Sequence, residues 1–142
     1  MLTEGGGGPL AVVVAGANVP DCKLLAATID AVVVERPLAG EGVEENLCLD
    51  KGFDNPTGRE AARSGGHVPH IRRIGEDAAA AKAAAGVKGH KPRRWVVERT
   101  IAWLNKCRAI LVRYDKQARN YLGLVQLACA LLWYRRLHRL SS

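Results

Sequence analysis

Asn46-Leu47-Cys48-Leu49-Asp50-Lys51-Gly52-Phe53-Asp54-Asn55-Pro56 is the stretch that decides the fold class. Residues 46–49 form a short apolar run, which reads as a strand that ends on Asp50. Lys51-Gly52 turns the chain. Asn55-Pro56 then starts a helix that runs to about Arg63, because proline's missing N–H costs nothing at a helix start. Ser64-Gly65-Gly66 breaks it. His67-Val68-Pro69-His70-Ile71 reads as the next strand, and Pro69 restricts it to an edge or an end. Upstream, Leu10 to Ala15 is apolar and β-branched and reads as a buried strand between turns at Gly5–Pro9 and Gly16–Pro20. Asp21 opens a helix whose Leu24, Leu25, Thr28, Ile29 and Val32 recur at helical spacing. Pro37 to Gly42 reads as a loop. Strand alternating with helix predicts an α/β sheet over about residues 1–75.

Beyond it, residues 76–92 are Ala-rich, then Gly- and Lys-rich. Asp77 to Ala85 has helical propensity, but Gly86, Gly89 and Pro92 end it, so the stretch reads as a connector. Arg93 to Cys107 is a helix by periodicity, with Val97, Ile101 and Leu104 expected on its packed side. Arg119 to Arg139 is a second helix. Its middle, Tyr121 to Trp133, is apolar almost all round and is expected to be buried or to cover a sheet. Trp95, Trp103 and Trp133 are expected in the core, as are Cys48 and Cys129 between their apolar neighbours.

The chain has 142 residues, enough for one domain. Hydrophobic residues make up 48% and charged residues 25%, which excludes wholesale disorder. Four cysteines with no CxxC and no close pair exclude a disulfide framework or zinc ribbon as the first reading; reduced thiols in a cytoplasmic protein fit better. His67, His70, His90 and His138 lack the spacing of a helical metal site. No apolar run is long enough to span a bilayer, so no membrane partner is expected. Charge is uneven. Residues 1–86 hold 8 Lys and Arg against 12 Asp and Glu, and residues 87–142 hold 13 against 2. Such a basic half predicts attraction to nucleic acid or, more blandly, a solvated face turned toward an acidic partner.

Two acids stand out. Asp50 follows a strand directly, at the edge where open α/β sheets place ligands; an Asx-turn is the plainer role. Glu98 is one of two acids in the basic half, flanked by Trp95, Val96, Val97, Ile101 and Trp103. It makes either an i,i+4 pair with Arg94 or a contact with a metal. Hard carboxylate oxygens from a strand end and a helix can hold Mg²⁺, and paired ions would clamp both oxygens of an in-line phosphodiester displacement. That scheme usually needs three carboxylates. Lys106, Arg108 and Arg113 either bind phosphate or are solvated.

Leu49-Asp50-Lys51-Gly52-Phe53-Asp54 resembles the block around the second catalytic Asp of insertion-sequence DDE transposases. Arg93 through Asn105 resembles the block around their catalytic Glu. Pro9 to Asn18, Leu111 to Lys116, Asn120 to Leu122 and Ala128 to Leu132 resemble other parts of the same proteins. The resemblance implies a ribonuclease H-like catalytic domain with a C-terminal helical pair. It also implies transposition by metal-dependent phosphodiester cleavage and strand transfer at the element's ends. Asp50 and Glu98 match the second and third catalytic, metal-holding acids, served by Mg²⁺ or Mn²⁺. Arg94 matches the family's Arg four residues before the Glu. Arg94, Arg99, Lys106, Arg108 and Arg113 are the expected DNA contacts. The family's Lys after the Glu falls on Asn105, with Lys106 beside it, and its Tyr before the Glu falls on Lys91.

On the same resemblance the family's first Asp and its strand are expected to be absent, and Glu4, at a turn, is the wrong place for a substitute. The sheet is therefore expected to be incomplete, with an unpaired apolar edge beside the strand ending at Asp50. The chain is expected to be a truncated transposase, inactive alone, that forms a homo-oligomer or pairs with a complementary fragment. The competing reading is a noncatalytic DNA-binding or inhibitory fragment.

Overall fold

A computed structural model describes residues 1–35, 44–71 and 94–141, and at Arg94 the backbone alone. The expected loop at Pro37–Gly42 and the connector at 76–92 lie outside the described residues. The fold class is α/β. Strand β1 (Leu2–Thr3) pairs antiparallel with β2 (Pro9–Ala11), and helix α1 (Asp21–Asp30) follows. Strand β3 (Asn46–Leu49), a 3₁₀ turn (Lys51–Phe53), helix α2 (Pro56–Ser64) and strand β4 (Val68–Ile71) come next. Helices α3 (Arg94–Leu104), α4 (Arg108–Leu111) and α5 (Ala118–Leu140) complete the chain.

β3 and β4 are parallel, with Asn46 opposite Val68, Leu47 opposite Pro69, Cys48 opposite His70 and Leu49 opposite Ile71. Parallel strands need a crossover, and α2 supplies it. Its start is fixed locally. Asn55 Oδ1 accepts from the Gly58 N–H at 2.9 Å, Asn55 Nδ2 donates to the Gly52 carbonyl at 2.8 Å, and Pro56 sits at the first turn. Gly58 lets the helix lie on the 3₁₀ turn; a Cβ there would stand 2.6 Å from the Phe53 carbonyl oxygen.

In place of the expected single sheet, the described residues form two separate two-stranded sheets. The strand expected over Leu10–Ala15 shortens to Pro9–Ala11. Its partner is only Leu2–Thr3, with a register irregularity between the two, so no ladder extends past Ala11.

Two apolar clusters hold these parts. In the first, Leu25 and Ile29 of α1 meet Leu47 of β3 and Ala62 of α2, which is fully buried; Leu2, Leu49, Phe53 and Ala61 close around them. In the second, Leu104, Ile110, Val125 and Ala128 join α3, α4 and α5, with Met1, Val12, Trp103, Cys107, Tyr121 and Cys129 packed on them. Each large side chain so buried contributes about 1.5–3 kcal/mol. The hairpin serves both clusters, through Leu2 in one and through Met1 and Val12 in the other.

The packed face of α3 differs from the expected one. Val96, Thr100 and Leu104 are buried, whereas Ile101 is exposed and Val97 half-buried. The register is set by Thr100, whose hydroxyl reaches the hairpin loop. Trp95, expected in the core, is 54% exposed. Helix α5 buries only Val125 and Ala128 of its apolar middle, and Leu127 and Leu131 are exposed. The helix middle, expected to be buried or to cover a sheet, is buried along one stripe only, where α3, α4 and the β1–β2 hairpin lie against it.

Candidate functional site

Asp50 stands at the carboxyl end of β3, in extended backbone, and caps the 3₁₀ turn. Its Oδ1 accepts from the Gly52 N–H at 2.8 Å, so the Asx-turn role is real. That contact uses one lone pair. The side chain is exposed, and the rest of the carboxylate faces solvent. Glu98 lies on the exposed side of α3. The elements that carry the two acids meet through the hairpin: α3 packs on β1, and Leu2 of β1 enters the core beneath β3. Among the described residues no group of three His, Cys, Asp or Glu is placed to hold a metal ion.

A tightly organised polar site is the glycine-rich loop between β1 and β2. Glu4 accepts from the Gly6 and Gly8 N–H groups, the latter at 2.6 Å, and from Arg136 Nη1 at 2.8 Å. Arg136 Nη2 and Arg99 Nη2 each donate to the Gly6 carbonyl at 2.7 Å. The buried Thr100 hydroxyl donates to the Gly7 carbonyl at 2.7 Å, and Trp133 Nε1 donates to the Pro9 carbonyl at 2.8 Å. Thus α3 and α5 grip one loop from two sides. Gly7 takes φ +96°, and Gly8 lies flat on the Trp133 ring, where a side chain has no room. Burial pushes the Glu4 carboxyl up, but the two backbone N–H groups and Arg136 outweigh it and hold it below its ordinary value.

This cluster of Glu4, Thr100, Trp133 and Arg136 was not legible as a site. The available signal was an acid immediately before consecutive glycines, whose successive N–H groups form an anion cradle.

The basic residues divide by environment. Arg99, besides holding Gly6, stacks 4.7 Å over Trp95. Arg113 donates to the Asp115 and Lys116 carbonyls and lies 5.7 Å over the Tyr121 ring. Lys106 and Arg108 are exposed beside the α3–α4 junction. Cys48, expected in the core, is half-buried, with its Sγ 3.8 Å from His70 Nδ1.

Residues 1–133 match the family model described as the transposase DDE domain, and the chain belongs to that family. It is also 33% identical over 141 residues to the "Putative transposase for insertion sequence element IS402" of Burkholderia cepacia. The match covers 98% of this chain and 63% of that protein, so the chain spans under two thirds of its relative's length. No solved structure gives a significant match. No helix among the described residues is long and apolar enough to cross a membrane.

Proposed function

We propose that this chain carries part of the catalytic site of an insertion-sequence transposase with a ribonuclease H-like core, and that Asp50 and Glu98 converge there to hold Mg²⁺ or Mn²⁺. The observation that carries the reading is the position of Asp50. It ends a strand of a parallel β–α–β unit, the place where such units put ligands, within the stretch matched by the family.

The donor set suits a hard ion, since both acids supply carboxylate oxygens and stand on exposed positions. When bound, the ion supplies Lewis-acid polarisation of the phosphodiester and activation of the attacking hydroxyl. A third carboxylate, from elsewhere in the functional protein, completes the set. Arg94, Arg99, Lys106, Arg108 and Arg113 hold the DNA backbone at the element's ends. If each neutralises one phosphate, log K falls with log salt at a slope of about −4.5. Arg99 has a second task, because it also fixes the Gly6 carbonyl.

Convergence of the acids is tested with Fe²⁺ in place of Mg²⁺, ascorbate and peroxide, and mapping of polypeptide cuts. Cuts near both positions 50 and 98, both suppressed by Mg²⁺ and by either Asp50→Asn or Glu98→Gln, support the reading. Cuts at one position only, or cuts removed independently by the two variants, overturn it. Nicking of element-end DNA then separates the two classes of function. Mg²⁺-dependent nicking lost in Asp50→Ala and Glu98→Ala supports a catalytic chain. Salt-sensitive binding without nicking, together with absence of the metal-directed cuts at 50 and 98, identifies a DNA-binding fragment.

A further inference from the structure

Among the described residues β1 pairs only with β2, and β3 only with β4. Between the two pairs lies a cavity of about 360 Å³. Leu2 and Thr3 of β1 line it, with Asn46 and Leu47 of β3 and with Ile29 and Val32 at and just past the end of α1, so its lining is mostly apolar. The hydrogen bonds show which backbone groups lie on the open edges. The Val68 N–H donates to the Glu45 carbonyl at 2.9 Å, so Glu45 turns its backbone toward β4. Alternate residues of a strand turn to opposite edges, which sends the N–H and C=O of Cys48 away from β4. The Glu4 N–H donates to the Gly8 carbonyl at 2.9 Å, so Thr3, one residue earlier, turns its N–H and C=O away from β2. An extended chain is the occupant whose own backbone can answer both edges at once.

We propose that this cavity seats a β-strand from a second polypeptide of the same family, paired with Thr3 on one side and Cys48 on the other, so that the two two-stranded sheets become one. The match covers 63% of the Burkholderia cepacia relative, which leaves over a third of that protein's length outside it, and that extra length is the source of the strand. The strand carries apolar residues at alternate positions, because one of its faces must cover Ile29 and Leu47. Strand addition of this kind takes its affinity from main-chain hydrogen bonds and its specificity from the alternate side chains. Filling the cavity also removes two open edges that would otherwise pair with any exposed strand. The seat is independent of whether Asp50 and Glu98 hold a metal.

The test uses the full chain and synthetic peptides that tile the part of the Burkholderia cepacia relative outside the match, each long enough for one strand of about 5–10 residues. Amide hydrogen exchange is read residue by residue by NMR. In the free chain at low concentration the amides of Thr3 and Cys48 are expected to exchange freely. One peptide with alternating apolar residues is expected to slow both together. Cys48→Pro and Thr3→Pro each remove one edge N–H, at positions where an edge strand tolerates proline. Each, shown by circular dichroism to be folded, is expected to weaken that peptide at least about tenfold, through the lost hydrogen bond and the bulk of the ring. Methylating the peptide's own edge amides, which leaves the protein unchanged, is expected to abolish the protection. Asp50→Asn is expected to bind as the parent does. The proposal is overturned if no peptide slows both amides, if only one edge is protected, or if the methylated peptide binds equally well. Protection of both amides in the free chain also overturns it: growth with concentration identifies a second copy as the occupant, and constancy identifies the chain's own remaining residues.

Discussion

Replacing Gly8 by Ala tests whether the hairpin loop is clamped by the C-terminal helix. A Cβ at position 8 would lie 2.2 Å from Trp133 Cζ2, 2.4 Å from Cη2 and 2.7 Å from Arg136 Nη1. The indole cannot bend, so the whole ring must swing. That motion also stretches its 2.8 Å hydrogen bond to the Pro9 carbonyl and disturbs Arg136, stacked 5.3 Å from the ring. Overpacking of this kind costs about 1–3 kcal/mol, and the lost hydrogen bond about 0.5–1.5 kcal/mol. The sum, about 1.5–4.5 kcal/mol, lowers the melting temperature by roughly 3–18 °C for a chain of this size. Thermal and urea unfolding followed by circular dichroism and tryptophan fluorescence would measure it. Amide exchange should accelerate first at residues 4–8. A Gly8→Ala protein that melts with the parent and keeps its exchange pattern refutes the clamp.

Other substitutions probe the same architecture. Gly123→Ala meets nothing within 4 Å on α5 and should stabilise the protein by about 0.5–1 kcal/mol in urea unfolding, since alanine suits a helix interior better. Thr100→Val leaves the buried Gly7 carbonyl without its hydroxyl donor and should cost about 1–3 kcal/mol in the same assay. Ala62→Leu forces extra methyl groups into a fully buried position between α1, α2 and β3 and should cost about 1–3 kcal/mol. Glu4 titrates below its ordinary value when folded, so it adds stability above pH 4.5 that fades as the pH falls through its lower, folded pKa. Glu4→Gln should therefore show a smaller drop in melting temperature on acidification than the parent; equal drops would rule out that role.

The β3–α2–β4 unit was readable because its signals are local. Asn55-Pro56 caps and starts the helix, Gly65-Gly66 stops it, and the apolar runs on either side have no other use. Asp50 was readable for the same reason, since a strand end followed by Lys51-Gly52 fixes where the acid stands. The face of α3 was not readable from periodicity. Val97 and Ile101 are as apolar as Val96, and the choice fell to a long-range hydrogen bond between Thr100 and Gly7. Helix α5 misled in the opposite direction, because an apolar run reports what a helix can bury and not what lies against it. Glu4 binds the loop's own N–H groups and a distant cation. Its partner Arg136 lies 132 residues away in sequence, beyond any local pattern.

The grip on the glycine-rich loop also imposes an order on synthesis. Pro9 cannot meet Trp133 until 124 further residues have been translated. At about 5–20 residues per second the nascent hairpin waits roughly 6–25 s at the ribosome. Met1 and Val12, whose apolar partners lie at residues 103–129, stay uncovered for most of that interval, which makes the hairpin a natural client for a ribosome-associated chaperone.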